Sequence, residues 1–485
     1  MLTERLTPWV RPAAYLGRNP TTLTGAVLTT ASALTIISFW VFEIMLGGGA
    51  EAYPYAGIVF FLILPAIFIF GLLLMPLGGF LRRRHLRLRG ELPEEYPRID
   101  LNYPPLRRAT ILVSFATFAN VVIFTTASYR GTQYMDSVQF CGQTCHTVMQ
   151  PEFTAYSNSS HSRVACVECH IGPGATWFVR SKLSGVRQVF AVVFHDYPKP
   201  IPSPVEQLRP ARATCEQCHW PQRFEGNIML VRTEYSQDQA NTPLTTVLAM
   251  KVGGRNADGM IGIHGHHLDP GVQITYIATD RKRQVIPEVT YRDSEGKTTV
   301  YNSTDTKPTA EELARGEHRI MDCMDCHNRP THTFQLPEQA LDQAMAEDYI
   351  SPSLPFVKKE ALVALKTNYP SQSVATKRIA ETLRNFYQSN FPDVVAKDGQ
   401  KLDAAIQAVQ GIYLRNVFPD MDVTWGTYPD NLGHTNWPGC FRCHDGNHVS
   451  ADGKTIPNDC DTCHDVLAMQ ESNPKILQDL GLKQQ

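Results

Sequence analysis

Residues 140–170 read FCGQTCHTVMQPEFTAYSNSSHSRVACVECH. Both ends of this stretch carry two cysteines with a histidine directly after the second: Cys141-GQT-Cys145-His146 and Cys166-VE-Cys169-His170. Four more follow: Cys215-EQ-Cys218-His219, Cys323-MD-Cys326-His327, Cys440-FR-Cys443-His444 and Cys460-DT-Cys463-His464. All 12 cysteines of the 485-residue chain belong to these six pairs. Five are C-x-x-C-H, the signature of covalent c-type haem attachment; the first is longer by one residue. Two thiols this close can each form a thioether to one porphyrin, and the next residue can swing its imidazole under the iron. Zinc ribbons, redox dithiols and structural disulfides also use paired cysteines, but none requires that histidine. With 16 His in the chain, six such neighbours by chance has odds of roughly one in a billion, given the attachment rule. Six haems c are expected.

A second imidazole closes an iron against substrates and favours electron transfer. Beyond the six motif histidines, the same part of the chain offers His161, His195, His264, His266, His267, His318, His332, His434 and His448. The Gly262-Ile-His264-Gly-His266-His267 cluster is expected to supply one or two ligands. His161, His195, His332, His434 and His448 are the other leading candidates, with His318 in reserve. The first haem has His146, Met149 or Met135 within reach.

The N-terminal part has a different chemistry. Residues 24–46, 56–80 and 109–128 form apolar stretches, of which only the first holds a charge, Glu43. About 20 residues at 1.5 Å each span a bilayer core, so three transmembrane helices are expected. Pro65 and Pro76 are expected to kink or end the second. Arg5, Arg11 and Arg18 precede the first stretch, and Arg82, Arg83, Arg84, Arg87 and Arg89 follow the second. The intervening 47–55 turn has no Lys or Arg, so the positive-inside rule puts the N-terminus in the cytoplasm and the haem part outside. The first apolar run is too late and too long for a cleavable signal peptide. The net charge of -2 carries no nucleic-acid footprint.

The fold class is therefore mostly α and irregular: a multihaem cytochrome c behind three transmembrane helices, with a small antiparallel β insert. Its regions are a membrane anchor (1–130), a three-haem region (131–227), a β-rich insert with the His cluster (228–309) and a C-terminal three-haem region with a helical spacer (310–485). VQITYIAT, QVIPEVTYRD and KTTVYN alternate apolar and polar residues, as strands do. PEQALDQAMAED, LPFVKKEALVALKTNY, ATKRIAETLRNFYQSN and LDAAIQAVQGIYLRN carry helical periodicity. A helix is expected near 174–194, and the last two motifs fall in loop sequence.

The run from Phe140 through His161-SRVA-Cys166 to His170-IGPG resembles the NapC/NirT/NrfH family of membrane-anchored quinol-dehydrogenase cytochromes c. The later runs GIHGHH, HRIMDCMDCHNRP and CFRCHDGNH are similar to larger multihaem members. The family takes a Met from C-x-x-C-H-x-M on its first haem; here the motif is lengthened and Met149 stands one position later. Its quinol-pocket lysine matches Lys182 best. Three spans instead of one is a further departure. The resemblance implies a bacterial inner-membrane protein whose haem domain lies in the periplasm. It implies oxidation of menaquinol or ubiquinol from the membrane pool, with periplasmic cytochromes or a terminal reductase as acceptors.

Quinol must shed two protons with its two electrons. Glu43 is costly in lipid and so a functional suspect. Asp136 and Lys182 complete the leading set, with Glu152 and Gln188 behind them. Two readings compete with a quinol dehydrogenase. One is an electron-transfer subunit of a larger respiratory or photosynthetic membrane complex with no quinol site of its own. The other is a terminal reductase, which the absence of C-x-x-C-K disfavours. Whether the chain is an enzyme or only a carrier stays open here. Pyridine haemochrome assay of the purified chain is expected to return six haems per polypeptide; five would mean that the Cys141–His146 motif is empty.

Overall fold

The computed structural model describes residues 11–46, 63–96, 102–144, 146–172, 175–205, 208–220, 224, 226–254 and 262–482. The chain divides into two units, Met1–His146 and Thr147–Gln485.

The first unit holds α1 (Pro20–Leu46), α2 (Leu64–Arg89) and α3 (Pro104–Met135). Asn19 starts α1: its Oδ1 accepts the Thr22 N–H at 2.9 Å, satisfying a first-turn donor. Pro20 follows, where a missing N–H costs nothing. Pro20–Phe39, Leu64–Arg89 and Thr110–Met135 are long and apolar enough to cross a membrane. Between lipid-solvated helices the attraction is packing, so interfaces favour small residues. α1 and α2 meet that way: a Cβ on Gly25 would lie 2.6 Å from the Gly71 carbonyl oxygen, and one on Gly71 2.5 Å from Thr29 Oγ1. Thr22 Oγ1 adds a hydrogen bond to the Met75 carbonyl at 3.1 Å. Leu73, Phe80, Ile111, Leu112, Phe115 and Phe118 point outward and exposed, a surface suited to acyl chains.

Two details differ from the sequence reading. The arginines 82–89 are not in a loop: α2 continues through them and ends at Gly90, whose φ of 72° is a left-handed cap. At 1.5 Å per residue the 26 residues of α2 run about 39 Å, so the basic turns pass beyond a core of about 30 Å. Pro65 sits in the first turn and Pro76 inside the helix, and neither ends it. α3 stops where the Asp136 N–H donates to the Thr132 carbonyl at 3.0 Å. Phe140–Thr144 then forms a wide π-type turn carrying Cys141.

The second unit is built on helices and two small antiparallel sheets. It starts with α4 (His146–Ser157) and α5 (Ala175–Val193). One sheet has the order β1 (Ile228–Tyr235), β2 (Pro243–Met250), β8 (His464–Glu471). The other runs β6 (Glu317–Ile320), β3 (Gln273–Ala278), β4 (Glu288–Arg292), β5 (Thr298–Ser303), β7 (His448–Ser450). The three strand-like sequences thus become β3, β4 and β5; β6 and β7 join them from beyond residue 309, while β8 pairs with β2 in the other sheet. The last two motifs are accordingly not in plain loop: β7 lies between them and β8 begins at His464.

The four helical sequences form α6 (Pro337–Ala346), α7 (Val357–Lys366), α8 (Gln372–Asn390) and α9 (Pro392–Asn416). On α8 the buried residues Ala375, Ile379, Leu383 and Tyr387 recur every fourth position, the stripe of an amphipathic helix. They pack with Leu341, Leu365 and Ile412 in the largest apolar core. A buried Lys358–Asp342 ion pair, whose carboxylate also accepts the Tyr235 N–H at 2.8 Å, ties this bundle to β1.

Gly71→Val should destabilise the detergent-solubilised protein by about 1–3 kcal/mol through overpacking against α1. Gly79→Val, whose Cβ would meet only Leu16 at 4.0 Å, should cost clearly less in the same thermal melt; equal losses would refute the close approach.

Candidate haem-binding sites

Each C-x-x-C-H motif folds as one turn. The N–H of the motif histidine donates to the carbonyl of the first cysteine at Cys215/His219 (2.8 Å), Cys323/His327 (2.8 Å) and Cys440/His444 (3.0 Å). His464 does the same toward Cys460, and Cys166–His170 is a helical turn. At i and i+3 on such a turn, two thiols share one face. No described cysteine is in a disulfide.

Each of these five histidines lies beside one histidine from elsewhere in the chain. Ring centres are 6.2 Å apart for His170 and His332, 6.1 Å for His219 and His161, and 6.4 Å for His327 and His264. They are 5.8 Å apart for His444 and His267, and 6.2 Å for His464 and His434. A metal–imidazole bond of about 2.0 Å on each side, plus about 1.1 Å from nitrogen to ring centre, gives about 6.2 Å for two imidazoles on one metal. The donor set and its spacing fit a six-coordinate haem iron at all five places.

Nδ1 of most non-motif partners is anchored, so Nε2 is the nitrogen that could bind a metal. His161 bonds the Pro330 carbonyl (3.2 Å), His264 the Val252 carbonyl (2.5 Å), His267 the Ile263 carbonyl (2.7 Å) and His332 the Glu152 carbonyl (3.0 Å). Burial pushes the imidazoles of His170, His327 and His332 below their ordinary pKa, and that of His267 down to about 4. Neutral imidazole is the form that binds metal. His264 and His267 stand three apart on the helix Ile263–Leu268, so one short element serves two motifs.

The residues between the cysteines hold neighbouring motifs together. Asp325, buried inside Cys323-MD-Cys326, accepts from Tyr276 Oη (2.5 Å), Arg319 Nε (2.9 Å) and the Asp322 N–H (2.7 Å). Its carbonyl accepts from Arg442 of Cys440-FR-Cys443 at 2.5 Å. Phe441 of the same motif stacks on His434, centres 4.2 Å apart. Lys251 Nζ donates to the Asp461 carbonyl at 2.6 Å and pairs with Asp465 at 2.9 Å, fixing the last motif. Sequence reasoning passed over all of these. A charged or aromatic residue at a position the motif leaves free was the available signal.

Consecutive motifs are spatial neighbours. Cys169 neighbours Cys218, and a thiol hydrogen bond joins Cys215 to Cys323. Cys326 neighbours Cys440 and Cys443, and Cys440 neighbours Cys463. The second to sixth motifs therefore adjoin in chain order. The segment His327–His332 touches three sites at once: His327 belongs to one, the Pro330 carbonyl anchors His161 of another, and His332 faces His170.

Other candidates are placed elsewhere. His448 is buried with both nitrogens engaged, Nδ1 with Asp445 (2.9 Å) and Nε2 with the Ile286 carbonyl (2.7 Å). His195 is exposed in a left-handed turn (φ 57°), His266 is exposed beside the cluster, and His318 is exposed on β6. Cys145 lies outside the described residues, as do the side chains of His146, Glu43 and Lys182. Cys141 is on the π-type turn and Met149 is half-buried on α4. Asp136 caps α3, and Gln188 bonds Ser184 on its own helix at 3.3 Å.

Residues 104–200 match the NapC/NirT cytochrome c family, N-terminal region. Over 467 residues the chain is 43% identical to the cytochrome c-type protein ImcH of Geobacter sulfurreducens, covering 96% of this chain and 90% of that one. No solved structure matches. The chain belongs to the NapC/NirT family of membrane-anchored multihaem c-type cytochromes, electron-transfer proteins with covalently bound haem c.

His434→Ala is expected to leave the haem count unchanged and convert one centre from low-spin to high-spin in the ferric optical and EPR spectra. His448→Ala should leave every centre low-spin and lower stability by about 1–3 kcal/mol, from its unpaired buried partners. A high-spin centre in His448→Ala would show that it is a ligand.

Proposed function

We propose that this cytochrome oxidises quinol at the periplasmic face of the bacterial inner membrane and relays the electrons through six haems to periplasmic acceptors. The haems, when bound, supply reversible one-electron chemistry at iron. Cys141 with Cys145, Cys166 with Cys169, Cys215 with Cys218, Cys323 with Cys326, Cys440 with Cys443 and Cys460 with Cys463 tether them. The five facing pairs His170/His332, His219/His161, His327/His264, His444/His267 and His464/His434 are the proposed ligands, and this pairing is the observation that carries the reading. A haem held between two such histidines would suit electron transfer rather than substrate turnover. His146 or Met149 serves the first haem.

The sequence-adjacent motifs give the route a direction, from the membrane anchor toward Cys463. The arginines of α2 argue for a cytoplasmic N-terminus and a periplasmic end to α3. Within the anchor, a cavity of about 260 Å³ lies between the three helices. Ile36, Phe68, Ile123 and Phe124 make its wall apolar, and Gly131, Thr132 and Met135 bring it to the end of α3. Small-molecule sites are mostly apolar with a few polar groups, so this pocket suits a quinol ring and the start of its isoprenoid tail. Asp136 follows Met135 directly, where a carboxylate can take a quinol proton and release it to external water. Glu43 and Lys182 are the further proton-handling candidates.

The purified single chain should reduce its own haems when given a menaquinol or ubiquinol analogue. Ala127→Trp, which fills the cavity, should slow that reduction by about tenfold or more, a loss of roughly 1.4 kcal/mol, with dithionite reduction unaffected. If reduction needs a partner subunit, the chain is an electron-transfer subunit without a quinol site of its own.

A further inference from the structure

Among the described residues, a carboxylate lies against the non-motif histidine at the site of His170 and His332 and at none of the other four facing sites. Glu152 Oε2 lies 3.1 Å from His332 Nδ1, and the Glu152 backbone carbonyl accepts from the same nitrogen at 3.0 Å. By contrast Nδ1 of His264 and of His267 meets a backbone carbonyl, and that of His161 meets the Pro330 carbonyl and, at 3.4 Å, the Ser160 hydroxyl. The Glu152 side chain is itself held. Arg329 approaches both its oxygens at 3.4 and 3.5 Å, and Arg329 is fixed by the His332 carbonyl (2.6 Å) and Ser203 Oγ (3.2 Å). The guanidinium also lies 4.2 Å from the centre of the Tyr428 ring. Arg329 is 8% and Glu152 17% exposed, so neither charge is well screened by water.

A carboxylate on the outer nitrogen of a metal-bound imidazole draws the proton away and makes the ligand more basic. A more basic ligand stabilises ferric over ferrous iron. We propose that Glu152 is a tuning residue that lowers the reduction potential of the haem held by His170 and His332, setting that centre below the other four paired centres, and that Arg329 limits the effect by sharing the carboxylate. Glu152 touches neither the iron nor any reactant. The inference rests on the assignment of His170 and His332 as a ligand pair.

Spectropotentiometric titration of the full-length protein in detergent, with EPR to resolve individual centres, tests it. Glu152→Gln should shift one centre to higher potential and leave the others in place. Arg329→Gln should shift the same centre lower, because the carboxylate is then unshared and a nearby positive charge is gone. Near-infrared magnetic circular dichroism of the unsubstituted protein gives a reading that needs no variant. One bis-histidine charge-transfer band should be displaced toward the imidazolate position. Coincident bands in that spectrum, no shift in Glu152→Gln, or shifts of the same sign in both variants would overturn the proposal. His332→Met separates the two levels: if it alters no low-spin centre, the ligand pair is wrong; if it alters one that Glu152→Gln leaves unmoved, only the tuning is wrong.

Discussion

Two imidazoles that shared one metal would stand about 6 Å apart, centre to centre, and five motif histidines face a histidine from elsewhere in the chain at that spacing. That constraint shapes the second unit. Each of five short attachment turns lies against a histidine from elsewhere in the chain: His332 beside His170, His161 beside His219, His264 beside His327, His267 beside His444 and His434 beside His464. Segments far apart in sequence are thereby drawn together. The sheets reflect this, since β8 starts at a motif histidine and closes on β2. Lys251, just past β2, then holds the last motif from the other side.

The division of labour between core types follows. The apolar core lies mainly in α6–α9, which carry no attachment motif. Around the motifs, polar contacts replace it: Asp325 with Tyr276 and Arg319, Arg442 with three carbonyls, and Arg329 with Glu152. Hydrogen bonds to charged groups are the stronger kind and are directional. They fix where a turn sits, which an apolar contact does less well. The membrane unit uses a third means, the close approach of Gly25 and Gly71.

Much of this was legible in the sequence, for physical reasons. Length and apolarity mark a spanning helix without reference to anything else in the chain, and the motif histidine is adjacent to its cysteine. Periodicity likewise located α6–α9 and β3–β5. What could not be read were relations between distant positions. His448 looks like any other spare histidine until its two nitrogens are seen to be engaged by Asp445 and Ile286. The single sheet expected from 228–303 became two because β1 and β2 pair with β8 while β3, β4 and β5 pair with β6 and β7, pairings between distant segments that no local pattern announces. The arginines after the second span read as a loop because charge obscured a helix that runs on to Gly90.

The stretch from His327 to His332 has a consequence of its own. Six consecutive residues contribute an imidazole to the pair with His264, the carbonyl that anchors His161 beside His219, and an imidazole to the pair with His170. Adding or deleting one residue there would displace three facing histidine pairs together. Loops usually drift freely in length over evolutionary time. This one is tied at His327, Pro330 and His332 at once, so its length is not free in that way.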